Sequence, residues 1–193
     1  WLASQHAIPL TADEFIQAQR HFPIIFSSGD SPLPLALMGL NEGVNTFVDD
    51  EGKVTEPVYL PAYIRRYPFM LARLQQDSEE LSLCFDPTAE SIGEFPDGTA
   101  LFDAEGKPAE PVQQALQFCE QFEHAGRRTQ QLIEELGKHE LFMDGEVAIQ
   151  QEGNDKPFLY RGFRMVDRDK LAALPDDVVT AWHKNGLLML IHA

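Results

Sequence analysis

The chain has 193 residues, of which 44% are hydrophobic, so it can bury the core of one globular domain and is not disordered throughout. Its 31 acidic residues outnumber 15 basic ones, and the formal net charge is −16. Such a field repels nucleic acid and anionic membranes, whereas it attracts a basic segment of a protein partner. We therefore expect no nucleic-acid partner.

The longest uninterrupted apolar stretch spans residues 187–191, far short of the roughly 20 residues that a bilayer requires. The sequence shows no basic start followed by an apolar run and a small-residue cleavage site. We therefore expect no membrane insertion and a cytoplasmic location. Cys84 and Cys119 are too few for a disulfide framework, and their apolar surroundings predict buried free thiols.

The first third of the chain predicts one helix and three strands. Thr11 and Glu14 have the spacing of a capping box, so a helix is expected from there to about His21. The helix should not extend further because Pro23 disfavours helical geometry in the residue before it. The strands are predicted at residues 23–26, 33–40 and 46–49.

Residues 47–58 recur at residues 101–112, with seven of the twelve positions identical. Each copy predicts a strand, a tight turn in which Gly52 or Gly106 supplies a positive φ, and a helix that starts at a Glu-Pro pair, near Pro57 or Pro111. The repeat is either an internal duplication within the domain or local convergence on favourable turn chemistry. On both interpretations the two turns should be equivalent.

Between and after the two copies, residues 58–67 predict a short helix and residues 81–86 a mostly buried strand. Apolar residues then recur at helical spacing over residues 111–136, which predicts one long amphipathic helix. Gly126 falls on its apolar face, which suggests close packing against another backbone, and Gly137 should end the helix. The side chains that we expect this helix to bury are Leu116, Phe122, Leu132 and Ile133.

The last third returns to strands and short helices. Residues 152–155 have hairpin-turn chemistry and lie between two predicted strands at residues 146–151 and 158–166. The remaining predicted elements are a short helix capped by Asp167, a second one from Pro175 to Gly186, and a buried strand at residues 187–191. The expected fold is therefore α+β: one domain over residues 1–193 with a mixed or antiparallel sheet, the long helix at 111–136 and short helices.

We find no arrangement of residues that predicts a catalytic, metal or cofactor site. Residues 24–31 resemble the start of the GDSL-type esterases, in which a serine nucleophile follows a strand. The Asp-x-x-His spacing that supplies the base in those enzymes does not occur, so the segment is interpreted as a polar turn. The six histidines show none of the short spacings that favour a local metal site.

Tyr63, Arg65, Arg66 and Tyr67 form the candidate site for a ligand or partner. Two adjacent arginines between aromatic residues are unusual in so acidic a chain, and adjacent helical positions point in different directions. We expect one arginine to be buried and bonded to a carboxylate, and the other to line a concave surface and reach an anion or a partner's carboxylate. A purely structural role for the pair is the alternative.

Several segments together resemble the SapC-like family of bacterial proteins. The strongest likeness is at residues 59–69, which include the Pro-Ala-Tyr-Ile-Arg-Arg-Tyr-Pro-Phe run. Further similar segments lie at residues 8–15, 22–26, 45–49, 101–103 and 169–175. The likeness covers nearly the whole chain, and family members look longer at both ends, which implies a trimmed sequence.

The resemblance implies a function but no catalytic residues, because the family has none that are agreed. Its name comes from bacterial surface layers, so it implies an accessory or binding protein of a surface-layer or envelope-associated system. The alternative is an enzyme, or an enzyme's partner, that modifies peptides or small molecules beside halogenase-like or cupin-like oxygenases. A deep polar pocket at Arg65 or Arg66 would favour the enzyme, and a groove or open sheet edge the binding protein.

Overall fold

The computed structural model describes residues 1–75, 80–150 and 157–193. Its strands are β1 (Ala7–Pro9), β2 (Ile24–Ser27), β3 (Pro34–Leu37), β4 (Phe69–Ala72), β5 (Ser82–Phe85), β6 (Phe142–Ile149) and β7 (Phe158–Val166). Its α-helices are α1 (Phe15–Ala18), α2 (Ala62–Arg65), α3 (Glu110–Lys138), α4 (Arg168–Ala172), α5 (Asp176–Asn185) and α6 (Leu187–Ile191). Helices and antiparallel strands occur in one fold, which confirms the α+β prediction.

Five strands form an antiparallel sheet in the order β1-β3-β2-β7-β6, and β4 pairs with β5 in a separate two-stranded ribbon. β2 joins the N-terminal strands to the C-terminal hairpin, with Phe26 opposite Arg164. Because successive side chains of a strand point to opposite faces, Phe26 enters the main core whereas Ile25 packs with Leu37 and Phe163 in a small cluster of its own.

The main core lies between one face of this sheet and the helices. Phe15 of α1, Leu132 and Leu136 of α3, and Trp182 of α5 are all buried in it together with Ile8 of β1. Full burial of an aliphatic or aromatic side chain of this size contributes about 1.5–3 kcal/mol. The C-terminal half of α3 therefore contributes to this core through Leu132, Ile133 and Leu136.

α3 spans Glu110–Lys138, so the predicted long helix is confirmed with slightly wider bounds. Of the four side chains expected to be buried, Leu132 and Ile133 are buried, Phe122 is half-buried and Leu116 is exposed. Leu116 lines a surface groove with Phe85 and Phe102 instead of contacting the main core. The expectation for Leu116 is wrong because helical periodicity identifies the apolar face of a helix but not how far along the helix other elements cover it.

The two glycines of α3 do not have their predicted roles. A Cβ atom at Gly126 would meet no atom within 4 Å, so the prediction that this position packs closely against another backbone is wrong. Gly137 stays within the helix, and Glu140 takes the positive φ, 52°, beyond its end. The amide of Glu140 donates to the carbonyl of Gly137 and the amide of Leu141 to that of Leu136, which is the Schellman pattern closed by a residue other than glycine.

The two repeated segments form the same turn. In each, the aspartate three residues before the glycine, Asp49 or Asp103, donates its amide to the carbonyl of the lysine that follows the glycine. Oδ1 of the same aspartate accepts hydrogen bonds from two later amides in both copies. Gly52 and Gly106 have φ values of 81° and 77°, so the predicted equivalence of the turns is confirmed. Duplication as the origin of the repeat stays a prediction.

The segments after the two turns differ. α3 begins at the second Glu-Pro pair as predicted, but residues 57–61 are not helical and α2 begins only at Ala62, which corrects the helix expected near Pro57 and over residues 58–67. Prolines at positions 57 and 61 have no amide N–H to donate, and the amide of Ala62 donates a hydrogen bond to the carboxylate of Glu14. This hydrogen bond sets the start of α2.

The C-terminal helices agree with the predictions made from the sequence, except for the last element. Asp167 caps α4 by accepting from two amides of its first turn, and Gly186 ends α5 with a φ of 83°. Residues 187–191 form α6 and not a strand, because Leu and Met are strong helix formers and the amide of Leu187 donates to Asn185 Oδ1 at the helix start. The hairpin turn predicted at residues 152–155 lies outside the described residues.

None of the helices in the described ranges combines the length and the apolar character that crossing a membrane requires.

Candidate functional site: an arginine–aromatic surface

The four candidate residues lie on or next to α2, which is positioned by the buried carboxylate of Glu14. Oε1 of Glu14 accepts from the Ala62 amide at 2.6 Å and from the Tyr59 hydroxyl at 3.0 Å. Oε2 accepts from the amide and the hydroxyl of Thr11, both at 2.8 Å, which confirms the predicted capping box. One carboxylate therefore orders the N-terminal helical turn and the start of α2.

Arg65 is exposed, and uncharged groups hold it in place. Its Nε donates to the Leu60 carbonyl at 2.9 Å, and one terminal nitrogen donates to the Tyr59 hydroxyl at 3.1 Å. The guanidinium carbon lies 5.6 Å from the ring centroid of Tyr59 and 5.3 Å from that of Phe118, within cation–π range. Burial, and after it the Glu14 carboxylate, raises the pKa of the Tyr59 hydroxyl, which stays protonated as a donor.

Arg66 is half-buried between two aromatic rings. Its guanidinium carbon lies 4.7 Å from the ring centroid of Tyr63 on α2 and 4.7 Å from that of Phe122 on α3. The side chain thereby links the two helices. Among the residues that the structure describes, none accepts a hydrogen bond from the guanidinium of Arg66. Its N–H edges are therefore free to donate to an additional acceptor.

The prediction that one arginine is bonded to a carboxylate is wrong. The arginine–carboxylate pairs in the described part of the chain are Arg128 with Asp13 and Arg161 with Glu146. Arg65 and Arg66 contact aromatic rings instead. A ring face stabilises the cation without taking a second charge out of water, and desolvation of an ion pair costs several kcal/mol per ion.

Tyr63 and Tyr67 extend the surface to Trp1. The ring centroid of Trp1 lies 6.4 Å from that of Tyr63 and 5.8 Å from that of Tyr67. The Tyr67 hydroxyl donates to Asp86 Oδ2 at 3.1 Å, and desolvation followed by this hydrogen bond raises the pKa of Tyr67. Trp1 is 53% exposed and Tyr67 39% exposed, so their rings are open to a binding partner beside the guanidinium groups.

We call this region the arginine–aromatic surface, and its members are Trp1, Tyr59, Tyr63, Arg65, Arg66, Tyr67, Phe118 and Phe122. It presents guanidinium donors beside exposed aromatic rings, which suits a carboxylate that is attached to an apolar or aromatic group. All four residues singled out in the sequence belong to it. The sequence did not indicate the contributions of Glu14, Phe118 and Phe122; only the Thr11–Glu14 spacing carried a local signal.

The other reactive side chains considered are potential metal ligands and the two cysteines. No group of three or more His, Cys, Asp or Glu side chains that could hold a metal ion occurs within the described ranges. Cys84 and Cys119 are free, as expected; Cys119 is buried and Cys84 half-buried. Burial raises the pKa of the Cys119 thiol, although the nearby charge of Arg66 acts in the opposite direction.

The fold and the site define an α+β protein with an exposed cationic and aromatic surface in an otherwise acidic chain. A family model described as SapC matches residues 1–193, the whole chain, and the protein therefore belongs to the SapC family. The resemblance seen in the sequence is thereby confirmed. Comparison with curated proteins and with solved structures produced no match.

Proposed function

We propose that this chain is an accessory binding protein of a bacterial surface-layer or envelope-associated system, and that it binds a protein or peptide partner through the arginine–aromatic surface. The observation that carries the proposal is the environment of Arg66. Its guanidinium is half-buried between Tyr63 and Phe122 and donates to no described residue. A partner's carboxylate can therefore bind there without displacing an internal partner.

The charge of the chain makes this arrangement informative. With 31 acidic residues available, an arginine could readily pair with a carboxylate of its own chain, as Arg128 does with Asp13. Arg66 instead has its position fixed by two rings, so less side-chain entropy is lost when it binds. A carboxylate bound to guanidinium forms the strongest class of hydrogen bond, and arginine, tryptophan and tyrosine are the residues that most often dominate binding energies.

The chemistry of the partner follows from the same residues. The net charge of −16 disfavours the approach of a strongly anionic molecule. A single carboxylate beside an apolar or aromatic side chain fits better, because the exposed rings of Trp1 and Tyr67 lie next to the arginines. The proposed partner is therefore a protein segment with an isolated Asp or Glu, or a C-terminus, flanked by apolar residues.

The experiment uses immobilised wild-type protein, Arg66→Gln and Arg127→Gln to capture proteins from the envelope fraction of the source bacterium, with quantification by mass spectrometry. Arg127 is an exposed arginine on α3 that contacts His124, so its substitution removes the same charge away from the candidate surface. A captured protein's acidic segment is then titrated as a synthetic peptide by calorimetry. We expect at least a roughly tenfold weaker Kd for Arg66→Gln and an unchanged Kd for Arg127→Gln.

Arg66→Lys separates recognition from a structural role, because it keeps the charge but loses the planar group that stacks between rings. Melting temperatures of all variants are measured alongside binding. Either of two results would show that the proposal is wrong. One is an envelope protein that the wild type and Arg66→Gln capture equally. The other is that no envelope protein depends on Arg66 for its capture.

A further inference from the structure

A cavity of about 770 Å³ lies between the five-stranded sheet and the C-terminal helices. It shares no lining residue with the arginine–aromatic surface. Volumes of this size are typical of small-molecule sites. Its lining residues come from α1, β2, α3, β7 and α4 to α6, so the fold as a whole shapes it and no single loop does.

Most of the residues that line the cavity are aliphatic or aromatic. The inner wall consists of buried core residues, among them Phe15, Phe26 and Leu136. The opposite wall is α6, where Leu188 and Leu190 are half-buried. Leu188 and Leu190 also pack against the core, so an apolar chain bound here would lie where α6 meets the core residues. Each methylene that it buries contributes favourably to binding.

The polar side chains that line the cavity are Arg168 and His192, and both are exposed at its rim. No acidic side chain lines it, although the chain has 31 acidic residues. Arg168 forms no salt bridge with a residue that the structure describes. The neighbouring Asp167 carboxylate instead accepts from the amides at the start of α4. The rim therefore presents a guanidinium that has no salt bridge with a described residue, beside a mostly apolar interior.

From this juxtaposition we propose that the cavity binds an amphipathic carboxylate, a medium-chain fatty acid or a similar aliphatic acid, with its chain against α6 and its carboxylate at Arg168. The charge of the rim specifies the acid head group, and the aliphatic walls specify the tail. Non-specific electrostatic attraction would not account for the binding of a carboxylate here, because the chain as a whole has a net charge of −16 and repels anions. The site is independent of the proposed partner surface.

The test is calorimetric titration of the purified chain with sodium octanoate, decanoate and dodecanoate below their micelle concentrations. We expect saturable one-to-one binding that tightens about fourfold for each methylene that enters the cavity. Arg168→Gln should weaken decanoate binding at least roughly tenfold, since it removes the charged hydrogen bonds to the head group. Arg20→Gln, an exposed arginine outside the cavity, is the matched control and should bind like the wild type.

Two further measurements separate the head group from the tail. 1-Decanol has the same chain without the charge and should bind much more weakly than decanoate. Leu190→Trp should block the cavity; because this variant could also disturb α6, its melting curve is recorded and Arg168→Gln remains the primary test. Any of three results overturns the proposal. The first is no saturation of the wild type up to about 1 mM decanoate. The others are equal decanoate affinities of the wild type and Arg168→Gln, and equal affinities of the wild type for decanoate and decanol.

Discussion

The carboxylate of Glu14 is expected to be one of the most sensitive single positions in the protein. Alanine at this position removes the acceptor for the amides of Thr11 and Ala62 and for the hydroxyls of Thr11 and Tyr59. The hydroxyls can rotate to other acceptors, but the two buried amides cannot. A buried donor without a partner costs about 1–3 kcal/mol. Two of them, together with the lost packing, give an expected loss of about 3–5 kcal/mol for Glu14→Ala.

Glu14→Gln provides a graded comparison. Glutamine keeps the shape and one acceptor oxygen, which can still serve the amide of Ala62, while its NH₂ group faces the amide of Thr11. Only one amide is then left unpaired, so the expected loss is about 1–3 kcal/mol. The free energy of unfolding is measured by urea denaturation followed by circular dichroism.

Thermal unfolding gives an independent measure of the same effect. For a chain of this size, each kcal/mol corresponds to about 2–4 °C, so Glu14→Ala should lower Tm by about 6–20 °C. Glu56→Gln, at an exposed position, is the control and should change stability by no more than about 0.5 kcal/mol. If Glu14→Ala is as stable as this control, the argument that one carboxylate orders both turns is refuted.

Two further predictions concern α3. Thr129 is buried, and its Oγ1 accepts a hydrogen bond from the Ala12 amide at 2.8 Å. Thr129→Val leaves that amide unpaired and should lower the free energy of unfolding by about 1–3 kcal/mol. Thr129→Ser keeps the hydroxyl and should lower it less in the same urea experiment. The Lys138 ammonium, and after it the indole N–H of Trp182, holds the pKa of Glu135 below its usual value. A depressed pKa stabilises the fold above the unfolded value of about 4.3 and loses that contribution as pH falls through the folded pKa. Tryptophan fluorescence should therefore show an acid transition below about pH 4.3 that Glu135→Gln lacks, and identical titrations would refute the contact.

The arginine pair shows which part of a site the sequence can predict. Its position between aromatic residues, in a chain with few bases, was sufficient to single out Tyr63, Arg65, Arg66 and Tyr67. The sequence did not predict which groups contact the two arginines, because Phe118 and Phe122 lie on α3, more than fifty residues further along the chain. A carboxylate and a ring face both stabilise a guanidinium, and only the tertiary arrangement decides between them.

The sequence by itself determined the features in which one residue controls its own backbone or its nearest neighbours. The turns at Gly52 and Gly106, the cap at Asp167 and the length of α3 are of this kind, because positive φ, short side chain–backbone bonds and helical periodicity act over a few residues. Tertiary structure alone decided which part of α3 is covered and that the carboxylate of Glu14 also holds Ala62. These outcomes depend on contacts between segments far apart in the chain, and no local preference specifies them.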